Sequence, residues 1–264
     1  MDSIADMEAI ILDYWKSAAS NSLQMETGER AWAEPHVAIA AGDDPLFQRI
    51  KSLIGHFHWT PEEAYSLAFP ENPAPAAELR VISYILPQTL QTLTDQRRER
   101  FMPSERWARS RFHGEAFNCD LRSHLAAMLT SAGYPAVAPE RLPAFAYQQS
   151  DRFGLASNWS ERHAAFVAGH GTFGLSDGLI THRGKAVRFG SVVARIDLPA
   201  CVKRCPIAAI STEAGHDKNA CFTYIREKTA PFVEQKYGTG STPCGLCQVA
   251  IPCELRVPPE LSCS

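Results

Sequence analysis

Six cysteines fall between residues 201 and 253, as Cys201-Val-Lys-Arg-Cys205-Pro206, Cys221, Cys244-Gly-Leu-Cys247 and Cys253. They constrain the folding of that stretch more than its hydrophobic pattern does. A short, loop-rich segment buries too little apolar surface to hold itself together, so a bound metal is the natural staple. A C-x3-C-P step followed by further spaced cysteines suits thiolate ligation of an iron-sulfur cluster. Where two clusters are held, the full run is C-x2-C-x2-C-x3-C-P, and its fourth cysteine serves the other cluster. Only the last two cysteines of that run are present, because Arg195 and Leu198 stand where the first two would fall. The array therefore reads as half of a two-cluster module. A four-thiolate zinc site, which would also suit Cys244 and Cys247, and vestigial cysteines without metal are the alternatives, whereas the Cys205-Pro206 step favours iron. Cys119, on a predicted helix face, is expected to be a buried apolar residue, and Cys263 a spare terminal thiol.

Composition narrows the class. With 264 residues, 45% of them hydrophobic, the chain can bury a sizeable core, and a formal net charge of -3 offers no bulk attraction for nucleic acid or membrane. The start, Met1-Asp2-Ser3-Ile4, has no basic region ahead of an apolar one, and no apolar run approaches the ~18 residues of a membrane span. A soluble, cytoplasmic protein is expected. In that setting clustered cysteines favour metal over disulfides.

Three regions are expected. In 1–77, a helical lead-in, Ile4, Met7, Ile10, Ile11, Tyr14 and Trp15 recur at helical spacing, as do Leu46, Ile50, Leu53 and Ile54 within 45–57. Thr60-Pro61-Glu62-Glu63 reads as a capped helix start, and 70–75 as a breaker-rich loop. Residues 78–199 mix both element types. Arg80 to Leu86 reads as a buried strand, and Glu115 to Ser131 as a helix with Phe117, Leu121, Leu125, Met128 and Leu129 on one face. Asn158-Trp159-Ser160-Glu161 reads as a capping box for a helix running to Gly169. A β-hairpin about His182-Arg183-Gly184 is expected to join Leu179–Thr181 to 185–196. The order predicts an α+β domain with an antiparallel sheet. Residues 200–264 form the thiol-rich module.

Several motifs together resemble the epoxyqueuosine reductase and reductive dehalogenase-related iron-sulfur proteins. They are Pro103-Ser-Glu-Arg-Trp-Ala108, Gly114-Glu-Ala-Phe-Asn118, Gly133-Tyr-Pro-Ala-Val-Ala-Pro139, Trp159-Ser-Glu-Arg-His163, Gly169-His-Gly-Thr-Phe-Gly174, Gly215-His-Asp-Lys218, Cys244-Gly-Leu-Cys-Gln248 and Pro252-Cys-Glu254. The resemblance covers roughly residues 78 to 258. It implies a nitroreductase-like, cobalamin-binding α+β domain followed by a ferredoxin-like module that delivers electrons to the cofactor. Carried over by position, Cys205, Cys221, Cys244 and Cys247 would hold one [4Fe-4S] cluster. The second cluster would retain only Cys201 and Cys253, which suggests a deletion before Cys201. The family's general-acid aspartate is missing, since Gly154-Leu-Ala-Ser-Asn-Trp159 contains no carboxylate. Glu161, His163 and His170 are the candidate proton donors, and Gly169, Gly171, Thr172, Phe173 and Gly174 the candidate cofactor-contacting loop.

The expected function is an iron-sulfur oxidoreductase, with cobalamin as a second cofactor, drawing electrons from a ferredoxin- or flavodoxin-type donor and acting on a small molecule. A membrane partner is not expected, and of nucleic acids only tRNA stays open. The competing expectations are an electron-transfer or redox-sensing protein without turnover and a catalytically dead deletion product.

Overall fold

The computed structural model describes residues 4–196, 204–211, 215–240 and 244–249. They fall into two compact units, the larger of residues 7–196 and the smaller of residues 204–211, 215–240 and 244–249 together with residues 4–6. Among the described residues no helix is long and apolar enough to cross a membrane.

The larger unit is built on a four-stranded antiparallel sheet in the order β1 (His36–Ala41), β2 (Leu79–Pro87), β8 (Val187–Arg195), β3 (Ala136–Val137). β2 is buried along almost its whole length, so it reads in sequence as a near-continuous apolar run rather than an alternating one. Side chains of neighbouring strand residues point to opposite faces. Toward one face Tyr84 donates its hydroxyl to Asn118 Oδ1 at 2.9 Å on α5 (Glu105–Ser131). Toward the other, Val81 and its cross-strand neighbour Val193 pack with Tyr65 of α3 (Pro61–Ala68) and Ala164 of α6 (Glu161–Val167). Helices thus cover both faces.

Local chemistry explains the boundaries. Thr60 caps α3 through a complete capping box, its side chain accepting from Glu63 N–H while the Glu63 carboxylate accepts from Thr60 N–H at 2.8 Å. At α6 the expected box is displaced. Ser160, not Asn158, is the N-cap, Glu161 becomes the first helical residue, and the third-position residue is His163, whose Nδ1 pairs with Ser160 Oγ at 2.8 Å. Asn158 instead staples loops, donating to Ala144 O and accepting from Ala146 N–H.

Two expectations change. The segment read as a purely helical lead-in contains β1, which pairs with β2 from His36↔Ile85 to Ala41↔Arg80, alongside α1 (Ile4–Ser17), α2 (Pro45–Ile54) and α3. The hairpin about 182–184 is only a turn. β7 (Leu179–Thr181) pairs back with β6 (Gly171–Phe173), whereas β8 lies between β2 and β3. The reason is steric as well as topological: a Cβ on Gly171 would stand 2.0 Å from Ile180 O, so glycine permits the close β6–β7 approach. A further ribbon joins β4 (Tyr147–Ser150) to β5 (Gly154–Ser157).

In the smaller unit a two-stranded ribbon, β9 (Ile210–Ser211) and β10 (Gly215–His216), precedes α7 (Lys218–Tyr224), whose cap Asp217 accepts from Asn219 and Ala220 N–H. A π-helical turn, Ile225–Thr229, leads into α8 (Ala230–Tyr237). Pro231 accounts for it, since the proline ring clashes with the carbonyl four residues earlier and widening the helix relieves that crowding.

Candidate functional site

In the smaller unit Cys205, Cys221, Cys244 and Cys247 line one cavity of about 450 Å³, with Ile207, Ile210, Tyr224 and Ile225 as its apolar walls. Three chain segments converge there: the turn after Arg204, α7, and the loop entering the 3-10 turn Leu246–Gln248. Gly245 adopts φ 64°, a left-handed conformation that lets Cys244 and Cys247 flank one turn. Ala209 N–H donates to Cys205 Sγ at 3.2 Å, the kind of contact that steadies a metal-bound thiolate. Desolvation, then the neighbouring Cys205, Cys244 and Cys247, push the Cys221 thiol up. A metal's positive charge reverses such repulsion. Among the described residues no three His, Cys, Asp or Glu side chains are close enough to hold a single metal ion. Cys201 and Cys253 lie outside the described residues. Cys119 sits on α5, partly buried, with its sulfur 3.6 Å from an Arg122 nitrogen.

The larger unit carries two adjoining cavities of about 440 and 410 Å³ that share Tyr147, Ser157, Ser160 and Arg162. The first is polar. At its floor Arg122, 3% exposed in its side chain, meets Glu115 at 3.0 Å, Glu140 at 2.7 Å and Glu161 at 3.6 Å, while Arg188 pairs with Glu115 at 2.7 Å. Glu161 is pushed up to about 8, foremost by burial, while Arg122 opposes the shift and Glu140 adds to it. Burial thus favours its protonated form. The Ser191 hydroxyl opposes the rise more weakly, and neither Glu161 oxygen receives a well-formed hydrogen bond. Glu140 is raised as well, again by burial first.

The second cavity is apolar, walled by Phe153, Leu155 and Phe173, with His163 and Asp177 at its edge. Phe153 and Leu155 are exposed, at 53% and 74%, although such side chains gain from being covered. The His163 ring lies 4.8 Å from Phe173 and 6.1 Å from His58, and burial lowers it to about 4, so it stays neutral near pH 7. His58 is fixed by its own contact, Nδ1 donating to Ser157 O at 2.9 Å.

The sequence-derived residues separate accordingly. Glu161 lines the polar cavity and His163 the apolar one. His170 lines neither: it is buried against β2, where its Nε2 donates to Ser83 O at 3.2 Å, and burial lowers it to about 4. Of the candidate loop, Phe173 reaches a cavity. Gly169 serves a turn at φ 84°, Gly171 and Gly174 pack against Ile180, and Thr172 pairs with Ile180 in the ribbon.

Sequence reading missed Glu115, Arg122, Glu140 and Arg188, because they come from α5, the turn Pro139–Arg141 and β8. Spacing along one element cannot reveal such a group. Asp177 was also missed, although Asp-Gly marks a turn and its φ of 54° is one that aspartate tolerates.

No family model matches the chain, and no curated protein does. Among solved structures it is similar to a selenomethionine-labelled epoxyqueuosine reductase, at 14% identity and a TM-score of 0.34, covering 96% of this chain and 66% of that one. It is also similar to epoxyqueuosine reductase from Bacillus subtilis, at 14% identity and a TM-score of 0.32 with the same coverage. The chain spans 66% of the length of these two structures.

Proposed function

We propose that this protein is an iron-sulfur oxidoreductase of the epoxyqueuosine reductase type, carrying one [4Fe-4S] cluster and acting reductively on a small molecule. One observation carries the reading: four cysteines from three separate segments line a single cavity. The Cys205-Pro206 step favours iron over a four-thiolate zinc site, and a cubane binds each thiolate through a different iron. Cys205, Cys221, Cys244 and Cys247 would hold the cluster, which when bound supplies one-electron transfer. An external ferredoxin- or flavodoxin-type donor would feed it.

The open apolar wall of Phe153, Leu155 and Phe173 beside a polar cavity is the one observation that supports a corrinoid in the larger unit. When bound, it would supply cobalt-centred reduction. The chain's own residues provide the rest. Glu161 holds a proton on its carboxyl at neutral pH and can release it to a group in the polar cavity. His163 is oriented by Ser160 and Phe173 and stays neutral at the edge of the apolar cavity. His170 positions the start of the β6–β7 ribbon through Ser83.

Iron, acid-labile sulfide, zinc and cobalt per chain, measured on anaerobically purified protein supplied with cobalamin, test this. About four iron and four sulfide are expected. Zinc in place of iron would overturn the reading.

A further inference from the structure

The polar cavity carries more positive charge than its fold uses. Five cations line it, Arg111, Arg122, Arg162, Lys185 and Arg188, against the three carboxyl groups of Glu115, Glu140 and Glu161. Arg122 and Arg188 are engaged with those carboxylates. Arg111, Arg162 and Lys185 form no ion pair among the described residues, although Arg162 donates to Asp177 O. Partial burial, and after it the neighbouring Arg188, push the Arg111 guanidinium down, while Glu115 opposes the shift.

The floor is also unsatisfied. Arg122 Nε and Glu161 Oε1 face each other at 3.6 Å, too far for a well-formed hydrogen bond, in residues only 2% and 9% exposed. Buried polar atoms without partners are uncommon in native structures and call for a ligand or ordered water. The cavity's volume, about 440 Å³, lies in the range of small-molecule sites.

We infer that this cavity is an oxyanion subsite, which takes a phosphate or carboxylate group of a small molecule between Arg111, Lys185 and Arg188 at its mouth and Arg122 and Glu161 at its floor. A guanidinium fork matches either group with paired N–H donors. The protonated Glu161 adds an O–H donor instead of an opposing charge. Around Glu161 stand Arg122 and Glu115 of α5, Glu140 of the turn Pro139–Arg141, and Ser191 of β8, so its ionisation is the step that would turn the floor against an anion.

The inference refines the ligand class of the proposed enzyme, yet its readout needs neither cluster nor corrinoid. A chain without iron that still bound anions would refute the proposed function and leave this subsite standing. Calorimetric titration of the full chain with sulfate, whose charge is constant over the range used, reads the site directly, and acetate reports the carboxylate case. Arg188→Gln should weaken binding of the preferred anion at least tenfold. Lys185→Gln, at an exposed position where folding is not in question, should weaken it severalfold. Arg98→Gln, an exposed change outside the cavity, should leave it unchanged. Wild-type affinity for sulfate should fall between pH 6 and pH 9, and Glu161→Gln should remove that fall. Equal affinity in Lys185→Gln, Arg98→Gln and wild type, for both anions, would overturn the inference.

Discussion

Replacing Glu161 with Gln should stabilise the larger unit increasingly as pH rises. The buried carboxyl has a folded value of about 8 against an ordinary 4.5. In the unfolded chain it ionises as pH passes 4.5, while in the folded chain it keeps its proton until about 8. Its stabilising contribution is thus complete below 4.5 and is lost as pH climbs toward 8. That gap, at about 1.4 kcal/mol per pH unit, corresponds to a loss of about 5 kcal/mol as an upper bound. Sharing of the charge with Arg122 and Glu140 spreads the titration and makes the slope shallower.

Glutamine is nearly isosteric and does not ionise, so Glu161→Gln should match wild type near pH 5 and exceed it by about 2 to 4 kcal/mol near pH 8. The buried histidines titrate in both proteins, so they cancel in the difference. Urea unfolding at several pH values, followed by tryptophan fluorescence, suits the purpose, because Trp15, Trp32, Trp59, Trp107 and Trp159 all belong to the larger unit. A variant less stable than wild type throughout, with no dependence on pH, would mean that Glu161 is an ionised partner of Arg122 and would refute the reasoning.

Cys205→Ser or Cys247→Ser should abolish bound iron and sulfide, whereas Cys119→Ser should retain both; the reverse pattern in metal analysis would overturn the ligand assignment. Thr60→Ala should cost about 1 kcal/mol in urea unfolding by breaking the α3 capping box. Phe117 of α5, fully buried and stacked on Tyr14 of α1 at 5.7 Å, should cost about 3 to 5 kcal/mol when replaced by Ala. The His163 ring, lowered to about 4, should show no protonation by nuclear magnetic resonance as pH falls from 8 to 5. Because the unfolded ring protonates near 6.5, His163 should also withdraw stability as pH drops through that value.

Legibility in the sequence followed range. β2, α3 and the apolar face of α5 could be read because their signals repeat within a few residues: a continuous apolar run, a cap with its acids, and a helical period. The β7 partner could not. A three-residue strand beside a turn pairs equally well with either neighbour on local chemistry, and the preference for β6 rests on the close approach at Gly171. β1 escaped notice because its alanines offer little alternation, and its place depends on the edge that β2 presents.

The same division holds for chemistry. Cysteine spacing and the proline after Cys205 pointed to thiolate metal chemistry, because ligand type and a tight turn are local properties. Convergence of Cys205, Cys221, Cys244 and Cys247 on one cavity was decided by the folding of three segments. Glu161 could be named from its motif, but its proton could not, since that depends on burial and on Arg122 and Glu140 brought from elsewhere in the chain. Residue identity sets which charges are available, and only the tertiary structure removes the water that would otherwise screen them.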